Sequence, residues 1–155
     1  MLAYVFWHRP QTDIEVGRYE EGLRAFHASL DSASASFRLA RLPFEQTAGY
    51  EDWYLIEDWS GLGELNSRAI DARHRPQHDR AASGTAVGWG GIYELVHGAA
   101  AIPDGVEWLD KPRGEPAEDF VSSFSHAAVW RRQLVLGPAA EFCCASPRLD
   151  TRARI

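Results

Sequence analysis

The sequence predicts an α+β fold in which strands and helices follow one another in the order βαββαβ through about residue 98. Apolar residues recur at spacings of three and four in two segments, which is the period of a helix, whereas four other segments are continuous or alternating apolar runs, which are typical of strands. With 155 residues and 45% hydrophobic content, the chain is long enough for one compact domain. We therefore expect one domain over residues 1–101 and an extension over residues 102–155, packed on that domain or on a dimer partner.

The first half of the pattern opens with an apolar run. Residues 2–7, LAYVFW, suit a central strand that is buried on both faces. Asp13 is expected to cap the first helix, because a single apolar stripe follows it, formed by Val16, Tyr19, Leu23, Phe26 and Leu30. Alternation around Phe37 and Leu39 predicts the second strand, which Pro43 ends.

The second half repeats this alternation of strand, helix and strand. Residues 52–59, DWYLIEDW, form the predicted third strand, and Ser60 is expected to cap the second helix. Pro76 limits that helix, whose apolar stripe consists of Leu62, Leu65, Ala69 and Ala72. The fourth strand is the Gly-rich segment 84–98, GTAVGWGGIYELVHG, in which the missing side chains indicate close approach of another element.

The extension has its own helix and strand patterns. It is predicted to contain a loop, a short helix, a strand and a further strand, at residues 104–116, 116–124, 128–136 and 141–146 respectively. Arg131 and Arg132 alternate faces of the predicted strand, so one of them is expected to point inward. An internal or intersubunit ion pair would satisfy that charge, and an anionic ligand is the alternative.

Charge and composition exclude several classes of partner. The formal net charge is −6 and the 16 Lys and Arg residues are scattered along the chain, so no basic stripe is available for nucleic acid or an anionic membrane. Residues 1–10, MLAYVFWHRP, are apolar for too short a stretch and lack the basic start of a signal peptide. We therefore expect a cytoplasmic protein that binds neither nucleic acid nor membrane.

Cys143 and Cys144 are the two cysteines of the chain. Adjacent residues can close a disulfide only through a strained ring, so we do not expect these cysteines to form a stabilising disulfide of the kind found in extracellular proteins. The first interpretation is two small residues on a strand, and a redox or soft-metal dithiol is the alternative.

The six-residue segment HRPQTD at residues 8–13 recurs with one change as HRPQHD at residues 74–79. The first copy follows a strand and the second follows a helix, so they do not mark a duplicated site, and what they share is the turn chemistry of Pro and Asp. His74 and His78 have the i, i+4 spacing of zinc-binding helices. Because Pro76 lies between them, we expect them to belong to different segments and predict no metal site.

The candidate catalytic residues are His8 and Glu57. The first and third strands are expected to be neighbours that point the same way, so their C-terminal ends would bring these two side chains together. A His beside a carboxylate in an aromatic cleft suits general acid–base chemistry on a small molecule, although strand ends also carry such residues simply to cap helices. The candidate ligand-binding residues are the aromatic and imidazole side chains expected nearby, namely Trp7, Tyr54, Trp59 and His78.

Both faces of the predicted sheet are apolar, since Trp7 lies beside Phe6 and Trp53 beside Tyr54 on alternating sides. One set of helices covers only one face, so the other calls for a partner. The element order and aromatic strands of residues 2–98 resemble the dimeric α+β barrel superfamily, in which two ferredoxin-like βαββαβ sheets pack face to face. The resemblance implies a homodimer, and segments such as WYLIEDWSGLGELN are similar to those of uncharacterised members.

For function, the resemblance implies a small-ligand-binding protein, with a cofactor-independent oxygenase or isomerase acting on a small aromatic or polyketide-like molecule as the expected enzyme class. The alternative is a non-catalytic structural or regulatory homodimer. We expect no cofactor, because GWGG continues a strand and so is not a nucleotide fingerprint. The haem-degrading branch of the superfamily uses an Asn on the first strand, where this chain has none.

Overall fold

A computed structural model describes residues 1–30, 32–124, 126–145 and 152–155. Over these residues the chain forms one curled antiparallel sheet of eight strands together with four helices, which confirms the α+β class. The elements are β1 (Leu2–Pro10), α1 (Val16–Ser29), β2 (Ser34–Leu39), β3 (Gly49–Ile56), α2 (Trp59–Ala69), α3 (Arg75–Ser83), β4 (Thr85–His97), β5 (Val106–Leu109), α4 (Ala117–Ser122), β6 (Val129–Leu136), β7 (Phe142–Ala145) and β8 (Arg152–Arg154).

The sheet has the strand order β5-β7-β6-β4-β1-β3-β2-β8, and all of its neighbouring strands are antiparallel. β1 lies near the centre, with His8 opposite Tyr50 of β3 and Phe6 opposite Gly90 of β4. Strands of the extension continue the sheet beyond β4 on one side and beyond β2 on the other. Among the described residues, no helix has the length and apolar character needed to cross a membrane.

Two helix caps differ from the sequence prediction. Glu15, not Asp13, caps α1, because its carboxylate accepts hydrogen bonds from the backbone N–H groups of Gly17 and Arg18 at 2.8 and 2.7 Å. Asp58, not Ser60, caps α2 by accepting from a backbone N–H at 3.0 Å. In both cases a carboxylate just before the first turn reaches amides that the helix itself leaves unpaired.

The second copy of the repeated phrase starts a helix that the sequence reading missed. Pro76 lies in the first turn of α3, where a missing N–H removes no helical hydrogen bond. Pro76 therefore lies in the first turn of a helix rather than ending one. His74 occupies the N-cap position of α3 and His78 lies within it, so the prediction that these two histidines belong to different segments is wrong. Two short strands, β5 within the predicted loop and β8 near the C-terminus, were also missed. The described residues contain no group of three or more His, Cys, Asp or Glu arranged to hold a metal ion.

The face of the sheet opposite α1 is filled by the chain itself. Its largest side chains, Trp7, Trp53, Tyr93 and Trp130, have no solvent exposure. Trp108 of β5 packs edge-on against Trp7 and Tyr93, with ring centroids 4.9 and 5.2 Å apart. The premise that this face needs a dimer partner is therefore wrong, because residues of the extension cover it.

Glu51 lies at the centre of this second core with no solvent exposure. Its carboxylate accepts hydrogen bonds from the indole N–H groups of Trp7, Trp53 and Trp108 at 2.8, 2.7 and 2.9 Å. The guanidinium of Arg152 on β8 also donates to it. Four donors therefore surround one buried charge, which is the condition under which burying a carboxylate is tolerable.

The sequence predicts an inward-pointing arginine at Arg131 or Arg132. In the structure the arginine that points inward and pairs with a buried carboxylate is Arg152. Its guanidinium also donates to backbone carbonyl oxygens of residues 103 and 104 and lies 3.7 Å from the ring centroid of Phe37. Arg132 instead donates to the backbone carbonyl of Ala139. The internal ion pair is thus formed by an arginine near the C-terminus.

The two cysteines are free and buried on β7. Burial raises the pKa of the Cys144 thiol to about 11 and holds the pKa of the Cys143 thiol well above its ordinary value. Both thiols therefore stay protonated at neutral pH. A protonated buried thiol is a poor nucleophile and metal ligand, which favours the interpretation of two small strand residues over that of a reactive dithiol.

We predict that Glu51→Gln lowers the free energy of unfolding by about 3–5 kcal/mol, because it leaves the Arg152 charge buried without its partner and places an amide N–H₂ against indole donors. Urea unfolding followed by tryptophan fluorescence measures this. The matched control is Glu57→Gln at an exposed position, which should change stability by less than about 0.5 kcal/mol. Equal stability of the two variants would show that Glu51 does not hold the second core.

Candidate functional site

A cleft of about 590 Å³ opens to solvent between the helices and the other face of the sheet. This volume falls within the range of small-molecule sites. The rings of Tyr4, Phe6 and Tyr54 contribute from β1 and β3. Apolar side chains of α1, α2 and α3 face these rings, including Leu23, Phe26, Leu62, Leu65, Ala69, Ala81 and Ala82. Polar groups come from His8, Asp52, Asn66, His78 and Thr85.

Glycines of β4 make room for two of the aromatic rings of the cleft. A Cβ atom on Gly88 would lie 2.1 Å from the Phe6 ring, and one on Gly90 would lie 2.8 Å from the Tyr4 ring. Neither distance is sterically possible, so the missing side chains allow both rings to lean across β4. The close approach that the Gly-rich strand predicts is confirmed, and it allows both aromatic rings to line the cleft.

Asp52 contacts three neighbouring side chains at the cleft, those of His8, His27 and Tyr54. Its Oδ2 lies 3.1 Å from His8 Nε2 and accepts a hydrogen bond from the Tyr54 hydroxyl at 3.2 Å. Its Oδ1 lies 3.5 Å from His27 Nε2. The contacts of Asp52 with the two imidazoles have the geometry of ion pairs rather than of aligned hydrogen bonds. Asp52 and His8 are both buried, so the pair is shielded from solvent.

Burial alone would raise the pKa of Asp52, but the imidazoles of His8 and His27 outweigh it and hold the pKa of Asp52 well below its ordinary value. The resulting negative charge acts on the neighbouring phenols. Burial, reinforced by the Asp52 carboxylate, raises the pKa of Tyr4 to about 12 and that of Tyr54 well above 10. Both hydroxyls therefore remain hydrogen-bond donors at neutral pH.

A chain of hydrogen bonds connects His8 to the cleft surface. The Tyr19 hydroxyl lies 2.6 Å from His8 Nδ1 and 2.8 Å from Thr85 Oγ1, and Thr85 Oγ1 donates to the carbonyl of Ala81 at 3.2 Å. Each hydroxyl carries a single proton, so all three contacts form together only when His8 Nδ1 donates to Tyr19 and Tyr19 donates to Thr85. The second ring nitrogen of His8 faces Asp52, which leaves neither nitrogen free for a bound molecule.

The predicted meeting of His8 with Glu57 is wrong. β1 and β3 are antiparallel, with Leu2 opposite Ile56 and His8 opposite Tyr50, so Glu57 follows the opposite end of the pair. The carboxylate beside His8 is that of Asp52. Glu57 instead lines a separate, smaller cavity of about 240 Å³, together with His74. The catalytic roles of His8 and Glu57 stay predictions, and the two residues line different cavities.

Comparisons with protein-family models, with curated proteins and with solved structures found no match. The resemblance to the dimeric α+β barrel superfamily stays a prediction.

Of the four predicted ligand-binding residues, two line the cleft and two lie elsewhere. Tyr54 and His78 line the cleft. Trp7 does not, because successive strand residues point to opposite faces and Trp7 lies in the second core, next to Glu51. Trp59 begins α2 with 54% of its surface exposed and lies outside the cleft lining. The two residues that line the cleft come from β3 and α3, and their role in ligand binding stays a prediction.

Sequence reasoning missed Asp52, His27, Tyr19 and Thr85. One signal was available, because residues 51–52 are adjacent carboxylates where the predicted third strand begins, directly before its aromatic residues. If that strand is buried on both faces, each carboxylate needs a partner on its own face. The pattern therefore predicts two buried charge sites, although it does not name their partners.

We predict that Asp52→Asn is destabilising near pH 6 by about 3–5 kcal/mol and that its deficit relative to the wild type shrinks in acid. The pKa of Asp52 is lower in the folded chain than the value of about 3.9 in an unfolded one, so its contribution is complete above about pH 4 and is lost as the pH falls below that. Urea unfolding from pH 6 to pH 2.5 measures this difference.

The control for this titration is Asp119→Asn, at an exposed position. It should stay within about 0.5 kcal/mol of the wild type throughout the range. A deficit of Asp52→Asn that is constant with pH would contradict the assignment of Asp52 as the stabilising charge.

Proposed function

We propose that the protein binds a small, flat, mostly apolar organic molecule of no net charge in the cleft. The observation that carries this proposal is an open volume of about 590 Å³ that is lined mainly by aromatic and aliphatic side chains, with only a few polar groups among them. Among the described residues that line the cleft, none is Lys or Arg. A carboxylate or phosphate group would therefore find no cationic partner there.

The polar side chains favour one hydroxyl or carbonyl group on the bound molecule. Thr85, Asn66 and His78 line the cleft. Asn66 and His78 can each donate or accept a hydrogen bond, whereas Thr85, whose proton goes to the carbonyl of Ala81, can accept one. Most of the remaining contacts would be apolar, so orientation would come from these few groups. A small aromatic or polyketide-like molecule has this distribution of polarity.

The rival function, a purely structural or regulatory homodimer, predicts a filled and dry interior. The open cleft beside His8 and His78 favours binding instead. A cofactor-independent oxygenase or isomerase reaction is the enzymatic form of the proposal, because acid–base groups lie beside the volume that the ligand would occupy.

We also propose that residues 1–98 follow the ferredoxin-like plan. The order β4-β1-β3-β2 within the sheet, with helices connecting β1 to β2 and β3 to β4, supports it. A homodimer remains part of this proposal through the resemblance alone. The second face of the sheet, which is covered within one chain, gives it no support.

We predict that the wild type binds 2-naphthol, a flat neutral hydroxyaromatic, and that Ala82→Trp weakens this binding at least about tenfold, because an indole placed at the cleft lining occupies the ligand volume. Isothermal titration calorimetry measures both affinities. The matched control is Ala25→Trp, at an exposed helical position outside the cleft, which should bind 2-naphthol as the wild type does.

If the wild type fails to bind 2-naphthol up to its solubility limit, a cleft for neutral hydroxyaromatic molecules is excluded. If both tryptophan variants bind equally well, the molecule binds elsewhere on the protein.

A further inference from the structure

His78 differs from His8 in how its ring nitrogens are used. It lies on α3, lines the cleft and packs edge-on against Phe26, with ring centroids 5.7 Å apart. Its Nδ1 lies 3.0 Å from Oδ1 of Asp79. Because the side chain is only partly buried, a molecule in the cleft can reach the ring from the open side.

The contact with Asp79 determines where the lone pair of His78 lies. An ionised carboxylate only accepts hydrogen bonds, so Nδ1 must carry the proton, and the neutral ring then has its lone pair on Nε2. His8 has no equivalent atom, since Tyr19 and Asp52 occupy both of its nitrogens. Of these two cleft histidines, His78 is therefore the one with an accepting nitrogen for a bound molecule.

We propose that His78 is the proton acceptor for a hydroxyl group on the bound molecule and that Asp79 positions it; this rests on the binding function proposed above. The O–H bond of an aromatic or enolic hydroxyl breaks, and its proton forms a new N–H bond on Nε2. The electron pair stays on the ligand oxygen, which becomes an aryloxide or enolate. The imidazolium that forms is stabilised by the Asp79 carboxylate, and the step requires no oxidant or reductant.

This assignment narrows the substrate class to hydroxyaromatic or enolic molecules. Removing the proton makes the carbon skeleton of such a molecule electron-rich, which is the activation that an oxygenase without a cofactor or an isomerase requires. His8, Asp52 and Tyr19 then form a closed network at the cleft that exchanges no protons with the ligand.

The fluorescence of bound 2-naphthol tests the proposal. This molecule becomes a much stronger acid in its excited state, so a base in contact with its hydroxyl raises the longer-wavelength naphtholate emission band above the level that water alone produces. At saturating wild-type protein, we expect this band in the bound probe. In His78→Gln we expect it to be lost while the calorimetric affinity changes by less than about threefold, because Gln keeps a hydrogen bond but is not a base.

Two further variants separate positioning from general structural effects. Asp79→Asn should weaken the naphtholate band without changing the affinity, since an amide no longer fixes the proton on Nδ1. His126→Gln, at an exposed position outside the cleft, should leave the band unchanged. Circular dichroism verifies that each variant is folded.

The outcomes for His78 and for the cleft are distinguishable. A probe that binds in the cleft but shows no naphtholate band in the wild type, or an undiminished band in His78→Gln, overturns the role of His78 and leaves the binding function intact. A probe whose binding is insensitive to Ala82→Trp overturns both.

Discussion

The arrangement of the sheet depends on the buried carboxylate of Glu51. Its donors are Trp7 on β1, Trp53 on β3, Trp108 on β5 and Arg152 on β8, so one charge connects the first strand, the centre and both strands at the edges of the sheet. Removing this carboxylate from water has a large cost, which only a complete set of donors offsets. The second core is therefore specific as well as apolar, because a different packing would leave the charge without these partners.

Glu51 also determines the position of the cleft. Because strand side chains alternate, fixing Glu51 on one face places Asp52 on the other, opposite Phe6 of β1. A slip of one residue would exchange the two carboxylates, so that Asp52 would face the indoles of Trp7 and Trp108 and Glu51 would face the imidazoles of His8 and His27. Two adjacent acidic residues with different partners thus define the register of β3. The same register gives one filled face and one face with a cavity.

The fold class was predictable because it depends on local periodicity. The apolar spacing of α1 and α2 and the runs of the first four strands each identify an element without knowledge of the others. Strand direction is different, since it depends on how the connections cross the sheet. In a split βαβ unit the inserted strand runs antiparallel to its neighbours, and overlooking this produced the wrong pairing of His8 with Glu57.

The partners of the buried charges were beyond a reading of local pattern. His8 and Asp52 are 44 positions apart, and Glu51 and Arg152 are 101 positions apart. The assignment of Trp7 to the cleft failed for a different reason. Trp7 and His8 are successive residues of β1, so their side chains point to opposite faces and cannot line the same cleft. Tyr54 and His78 do line the cleft, because both lie on elements that border the space between the helices and the sheet.

The cleft itself explains an unusual property of α2. None of the residues of this helix is fully buried, although its apolar side chains Leu62 and Leu65 face the sheet. A helix usually derives its stability from packing its apolar side, and here part of that side borders open space. A molecule in the cleft would supply the missing contacts, so its binding free energy would also stabilise α2. The aromatic side chains of β1 and β3, together with His8 and Asp52, belong to the sheet, whereas α2 is the part whose packing a ligand would complete.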